Sequence, residues 1–350
     1  MKIAVIAAPY IAVPPPMYGG AELVVYNLVE GLHEQGHEVI LFAPKQSQVS
    51  CQLVPYLETA LYFGLDSSIR EKRLVGELSS KYAYARAGYE KVDIIHDHKL
   101  AEYSIDIPVV HTLHGPANEM TVKKCVDISR DPKSCFVPIS NRQKELYLEL
   151  DGNINFASTV YNSVEVNKIE WCKDKEDFFL FIGRANWEKG LDLAVRVASK
   201  AKVGLAMAVK MSEDFEKEFF KKEIKPWIDK FPKDLHFEFL EEITGDIKFD
   251  LYRRAKCTLF TSQWEEPFGL VMIESMACGT PAIALRRGAA PEVIIDGKTG
   301  FIVDTEEEMI EAMKEVDKID PEDCRKHVEN NFSKEKMVRD YLAVYEKMLS

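Results

Sequence analysis

No two of the seven cysteines form a Cys-x-x-Cys pair, and their number is odd. That argues against a disulfide framework or a thiolate zinc site and points to reduced thiols in a cytoplasmic protein. No apolar run approaches the roughly 20 residues needed for a membrane helix. The first apolar stretch, residues 1–8, meets Pro14-Pro15-Pro16 too soon for a secretory signal and reads as a buried strand. Positive charge is the scarcer sign: 45 Lys and Arg face 57 Asp and Glu, a formal net charge of −12. Acidic residues dominate in both halves, which counts against nucleic acid as a partner and disfavours membrane association through a polybasic face. Also missing is a G-x-G-x-x-G after the first strand, which counts against a dinucleotide-binding first domain.

What is present is the composition of a well-filled globular protein, 46% hydrophobic and 29% charged. The length of 350 residues suits two domains of about 150 residues each. Strand and helix patterns alternate throughout, which predicts parallel sheets with helices on both faces. In the first half, strands are expected at 2–8, 38–43, 92–95, 109–113 and 136–139, with a helix over 21–35 closed by Gly36. Residues 46–90 carry helical signals without a clear strand, and their topology stays open. A second set of strands is expected at 178–183, 204–209, 236–240, 257–261 and 282–285. Helical patterns fall between them at 191–201, 215–231, 247–255 and 268–278.

Residues 165–177 are polar and charged, so the division is drawn there. It gives a domain over 1–165, a second over 166–332, and a final helix in 333–350 packing back on the first. That helix carries Met337, Tyr341, Val344 and Met348 on one stripe. The expected fold class is α/β, with two Rossmann-like domains facing across a deep cleft. Ligands in such sheets sit outside the carboxyl ends of the strands.

The strongest motif is Trp264-Glu265-Glu266-Pro267-Phe268-Gly269-Leu270, continuing through Glu274 to Gly279-Thr280-Pro281. Pro267 suits the first turn of a helix and Gly279 its stop. The amides of Phe268, Gly269 and Leu270 would then form a helix N-terminus, which favours phosphate or sugar oxygens. On one helix, Glu266 and Glu274 stand about 12 Å apart along the axis. A hydrolytic carboxylate pair stands roughly 5 to 10 Å apart, so that chemistry is disfavoured. One long ligand fits better, with Glu266 on sugar hydroxyls and Glu274 on a ribose. A solvated Glu266 and a capping Glu274 are the structural alternative.

Arg184 closes a strand and Lys189 opens the next helix in Gly183-Arg184-x4-Lys189-Gly190. Two cations beside helix amides make a diphosphate clamp that would also stabilise charge on a leaving group. Gly19-Gly20 before a helix lets backbone approach a ligand, although a bare Gly-Gly is equally a turn. His114 closes the strand 109–113. Alternation puts His96 and His98 on one face, and with His111 they raise the question of zinc. His98 lining an acceptor pocket, or a structural role, is preferred to metal.

Together these tracts resemble the retaining family-4 glycosyltransferases, which have the GT-B fold. The glutamate segment looks like their E-x7-E signature. Residues 179–300 are similar throughout, including Pro291-Glu292-Val293 and Gly297-Lys298-Thr299-Gly300. In the first half Pro14-Pro15-Pro16-Met17-Tyr18-Gly19-Gly20-Ala21-Glu22 and His111-Thr112-Leu113-His114-Gly115-Pro116 match as well. They suggest the subgroup containing the avilamycin-type glycosyltransferases.

The resemblance implies transfer of a hexose, with retention, from a nucleotide diphosphate sugar to a hydroxyl of a small-molecule or glycan acceptor. A UDP-sugar is expected by analogy. It implies Glu266 and His114 as catalytic, with His114 contacting the donor hexose. Gly20, Arg184, Lys189, Phe268, Gly269, Leu270 and Glu274 would hold the donor, and Gly19 and His98 would lie on the acceptor side. No cofactor and no metal are expected, since the Asp-x-Asp of the other major glycosyltransferase fold is missing. Base recognition is expected from backbone near 210–212 and 240–243, and acceptor contacts from residues 46–125. Asn162-Ser163-Val164-Glu165 departs from the family's Asn-Gly, aliphatic, Asp at the domain crossover, so that turn is not carried over. Phosphorylases and nucleotide-sugar epimerases share the architecture, and a silent nucleotide-sugar-binding protein is the non-enzymatic rival. The sugar, the base, the acceptor and the oligomeric state are not written in these motifs.

Overall fold

The computed structural model describes residues 1–16, 19–61, 69–241, 243 and 245–350. Met17 and Tyr18 of the Pro-rich motif, residues 62–68 of the open segment and Glu242 of the expected base-reading stretch lie outside the described residues. The chain divides into two compact units, Met1–Ser163 with Lys334–Ser350, and Val164–Ser333.

In the first unit the strands are β1 (Lys2–Ile6), β2 (Glu38–Pro44), β3 (Gln52–Leu57), β4 (Ile94–Asp97), β5 (Val109–Leu113) and β6 (Ser134–Pro138). They form one sheet in the order β3-β2-β1-β4-β5-β6, with every neighbouring pair parallel. β1 reads as an apolar run after Lys2, and β4, β5 and β6 are buried along their whole length, because helices cover both faces of a parallel sheet. Helices α1 (Gly20–Glu34), α2 (Ile69–Glu90), α3 (Glu119–Ile128) and α4 (Asn141–Leu150) connect them. Strand β3 was missed by periodicity, as were the strand at Gly300–Val303 and helices α3 and α4. The β3 sequence QLVPYL is half-buried, and Pro55 is tolerated because β3 lies at the sheet edge.

The second unit repeats the plan. Its strands are β7 (Glu176–Arg184), β8 (Gly204–Lys210), β9 (Phe237–Glu241), β10 (Ala255–Phe260), β11 (Ala282–Leu285) and β12 (Gly300–Val303), in the order β12-β11-β10-β7-β8-β9. Its helices include α5 (Leu191–Ala201), α6 (Asp214–Phe219), α7 (Lys225–Ile228), α8 (Gly245–Arg254), α9 (Leu270–Ala277), α10 (Ala290–Val293), α11 (Glu306–Glu315) and α12 (Pro321–Asn331). Both sheets thus have the doubly wound order, and each unit has its own core.

Two expectations are corrected. The single helix over 215–231 is instead broken: α6 passes into a π-helical turn, Phe220–Ile224, before α7. Pro226 at the start of α7 has no N–H to give and needs room at the preceding turn, which the wider π turn supplies. The helix after Glu266 starts at Leu270, with Gly269 as its N-cap, so Pro267 precedes the helix and does not occupy its first turn.

The final helix, α13 (Lys334–Leu349), belongs to the first unit and packs on α1. Gly31 permits that approach, because a Cβ there would stand 2.6 Å from Val338 Cγ2. Lys334 pairs with Glu34 at 2.7 Å. In the second unit Val164 N–H donates to Phe332 O at 3.0 Å. The buried Arg325 donates to the carbonyls of Val166, Ile169 and Ala277, tying the start of this unit to α9.

Candidate active site

In the second unit the strand order reverses between β7 and β10, where connections leave to opposite sides and the carboxyl ends leave a crevice. Arg184 is the last residue of β7. Its Nε donates to Glu216 Oε1 at 2.6 Å. Glu216 is fully buried, and its other oxygen accepts from Ser212 N–H and Glu213 N–H at 2.8 and 3.0 Å. This tether fixes the guanidinium while its two terminal nitrogens bind none of the described residues.

Lys189 stands in a short 3-10 turn, Trp187–Lys189, and not yet in the helix. The Asn186 side chain caps this turn by accepting from Lys189 N–H at 3.0 Å. Gly190 follows with φ +67, and a Cβ there would lie 2.0 Å from Thr261 O. The close approach lets Thr261 Oγ1 donate to Gly190 O at 2.8 Å, while Gln263 N–H donates to Glu188 O at 2.7 Å. The turn after β7 is therefore stitched to the segment after β10.

That stitching brings Lys189 Nζ to 2.5 Å from Glu266 Oε2. The same oxygen accepts from Trp264 Nε1 at 2.8 Å and Ser262 Oγ at 3.2 Å. Oε1 takes no donor from the described residues. From behind, the Gly288-Ala289 backbone holds the glutamate: Ala289 N–H donates to Glu266 O at 3.0 Å. Gly288 has φ +52, and a Cβ on it would stand 2.2 Å from that carbonyl oxygen.

Gly269 has φ +94, and a Cβ would stand 2.8 Å from both Phe260 Cζ and Met272 Cε, so this N-cap requires glycine. Leu270 is the first residue of α9, and Phe268 is buried with its ring edge-on to Phe332. Glu274 lies inside α9 and is buried, with Lys248 Nζ at 2.7 Å from Oε1 and Tyr252 OH at 3.1 Å from Oε2. It caps no helix. Because Glu266 precedes the helix, the axial spacing expected between the two glutamates does not apply.

In the first unit the corresponding reversal lies between β1 and β4. Gly19 and Gly20 open α1. Gly19 is extended, and a Cβ there would meet Pro15 Cβ at 2.7 Å and Glu22 Oε2 at 2.9 Å. Burial pushes the Glu22 carboxyl up. His98 follows β4 and His114 follows β5; their Nδ1 and Nε2 are 2.8 Å apart. Burial lowers the His114 pKa to about 4.

The neighbouring His96 is enclosed, its Nδ1 2.6 Å from Tyr345 OH and its Nε2 2.7 Å from Thr112 Oγ1. It therefore ties β4 and β5 to α13. Asp97 is buried too and accepts from Tyr84 OH, Lys99 N–H and Ala101 N–H. Burial raises its carboxyl, but the His111 ring and the two backbone donors outweigh this and leave it at about 2. Among the described residues no group of three or more His, Cys, Asp or Glu is arranged to hold a metal ion.

The structure thus joins Lys189 to Glu266 and His98 to His114, places Arg184 at the end of the strand beside β10, and turns Glu274 onto Lys248 and Tyr252. Glu216, Ser262 and Gly288 were missed from sequence. Glu216 is one acid in an acidic run, and Gly288 one glycine after two arginines; neither has a spacing that marks it.

Two doubly wound units, the second with two cations and a carboxylate near its switch point, are of the GT-B class of fold. A model of glycosyl transferases group 1 matches residues 165–334, and one of glycosyltransferase family 4 matches residues 18–149. An uncharacterized glycosyltransferase of Methanocaldococcus jannaschii is 24% identical, over 95% of this chain and 96% of its own length. The crystal structure of a glycosyltransferase involved in avilamycin A biosynthesis superposes with a TM-score of 0.76 at 21% identity, covering 100% of this chain and 98% of that one. Anabaena HepE in complex with UDP-glucose gives 0.76 at 15% identity, covering 99% and 100%. The chain belongs to the family-4-like glycosyltransferases of GT-B fold and is a transferase that uses a nucleotide-sugar type of donor.

Proposed function

We propose that this chain moves a hexose from a UDP-sugar to a hydroxyl acceptor with retention of configuration, without a metal, in the cytoplasm. The observation that carries this reading is the junction of Lys189 with Glu266 beside the tethered Arg184. It supports the reading because the two cations would offset the charge of a leaving diphosphate, and Glu266 Oε1, which takes no donor from the described residues, would accept from sugar hydroxyls. The complex of HepE with UDP-glucose supports UDP as the nucleotide, and the free cysteines, most of them buried, fit a reducing compartment. No helix among the described residues is long and apolar enough to cross a membrane.

In this reading the acceptor hydroxyl attacks the anomeric carbon on the face from which the diphosphate departs. The bond to the diphosphate oxygen breaks, and the acceptor proton passes to a leaving phosphate oxygen. The acceptor is glycosylated and UDP is released. Arg184 and Lys189 stabilise the negative charge that grows on the diphosphate. Glu266 Oε1 accepts from hexose hydroxyls and fixes the ring. Neutral His114 is assigned to contact with the donor hexose. Glu274 receives a ribose hydroxyl on a lone pair left over by Lys248 and Tyr252, since each carboxylate oxygen can accept twice.

Nucleotide release from a panel of UDP-, GDP- and ADP-sugars, with EDTA present, tests the whole reading. Turnover of a UDP-sugar that resists EDTA is expected; turnover of another nucleotide alone, or its abolition by EDTA, contradicts it. Arg184→Lys keeps the charge and loses the planar fork, so donor KM is expected to rise about tenfold while kcat falls less. An unchanged donor KM would remove Arg184 from the diphosphate.

A further inference from the structure

His98 and His114 meet nitrogen to nitrogen at 2.8 Å, so one ring donates and the other accepts. The second nitrogen of His98 decides which. His98 is buried, and its Nε2 lies in the interior with no hydrogen-bond partner among the described residues. A proton on Nε2 would bury an N–H with no acceptor, an arrangement folded proteins almost never keep. A proton on Nδ1 leaves a bare lone pair at Nε2, the smaller loss, and supplies the 2.8 Å contact with its donor. His96 lies tilted against His98, with ring centroids 4.1 Å apart and ring planes 33° apart, and its own nitrogens are both engaged by Tyr345 and Thr112. The ring behind His98 is therefore held in place, and the backbone N–H of His98 donates to Ile6 O at 3.0 Å.

We infer that His98 is a positioning residue that donates from Nδ1 to His114 Nε2, fixing His114 as the tautomer with its proton on Nδ1. His114 then offers a hydrogen-bond donor through Nδ1, and its Nε2 lone pair is already taken. Its contribution to transfer is to donate to a sugar oxygen, and it does not act as a base through Nε2. Burial keeps both rings neutral near pH 7, as their lowered pKa values require. The role of His114 in transfer rests on the function proposed above; the tautomer does not.

The test is a two-bond proton–nitrogen correlation spectrum of the labelled full chain, with the His114 signals assigned by their loss in His114→Asn. Wild-type His114 is expected to carry its proton on Nδ1. In His98→Asn the amide nitrogen takes the place of Nδ1 and donates, so the tautomer of His114 is retained. In His98→Asp the side chain at that place only accepts, so His114 gains a proton on Nε2. Transfer is then expected to fall about a hundredfold in kcat with little change in donor KM. An Nε2-protonated His114 in the wild type, or an unaltered tautomer in a folded His98→Asp, overturns the inference. Normal kcat in His98→Asp with the tautomer inverted overturns its part in transfer. If His98→Asp does not fold, the wild-type spectrum alone decides. Absence of turnover in the wild type with the expected spectrum refutes the proposed function and leaves the tautomer assignment standing.

Discussion

Replacing Glu266 by alanine is expected to lower kcat by about three orders of magnitude while UDP affinity stays within a few-fold. The size follows from losing a preorganised carboxylate that holds the ring at the reacting centre. The asymmetry follows from what Glu266 touches. Its Oε2 gathers Lys189, Ser262 and Trp264, while Oε1 faces no described donor. The nucleotide would be held by other groups. Glu266→Gln separates charge from shape: the amide fills the same space but cannot serve Lys189 as a counter-ion. An intermediate loss in the glutamine variant is therefore expected. Steady-state kinetics with one donor, together with calorimetric UDP binding, checks both. Weak UDP binding with normal turnover would reverse the assignment.

The second large effect is expected at Gly288, a residue that touches no substrate in this reading. Alanine there suffers twice. The backbone at φ +52 resists a side chain, and the new Cβ would stand 2.2 Å from Glu266 O and 2.4 Å from its nitrogen. Neither neighbour is the end of a flexible side chain, so the Glu266 backbone must move. A displacement of about 1 Å at a positioned group can cost roughly a hundredfold in rate. Gly297→Ala is the control, because Gly297 has φ +70 but a Cβ there meets nothing within 4 Å. It carries only the backbone cost, about 1 kcal/mol. Thermal unfolding and transfer rates of the two variants, set side by side, isolate the contact with Glu266. Equal losses in both would mean that the Gly288 contact does not position the carboxylate.

Much of this site was legible before any coordinates. Apolar runs between helical patterns announced parallel sheets, since a strand buried on both faces has no polar side to show. Arg184, Lys189 and Glu266 stood out because each follows a predicted strand, where doubly wound sheets place ligands. Other features were hidden for reasons that can be named. Strand β3 carries a proline and is half-buried, so it has neither the apolar run nor the alternation of a strand. The break at Pro226 was masked because the apolar residues on either side of it, Phe220, Ile224, Trp227 and Ile228, keep helical spacing in the sequence and all pack on the second unit's core.

By itself, the order of residues determined the two α/β units, the net negative charge and the families of motif at the strand ends. These depend on local pattern and composition, which act over a few residues or over the whole chain. Only the tertiary structure decided which of the marked residues meet. Lys189 and Glu266 are 77 residues apart in the chain and come together because β7 and β10 are neighbours in the sheet. Glu274, eight residues beyond Glu266, turns instead onto Lys248 and Tyr252. Glu216, unmarked in its acidic run, became the anchor of Arg184 because burial left it no water and three donors took its oxygens. Contacts between distant segments are set by strand order and close backbone approach, and neither leaves a spacing in the sequence from which a partner can be read.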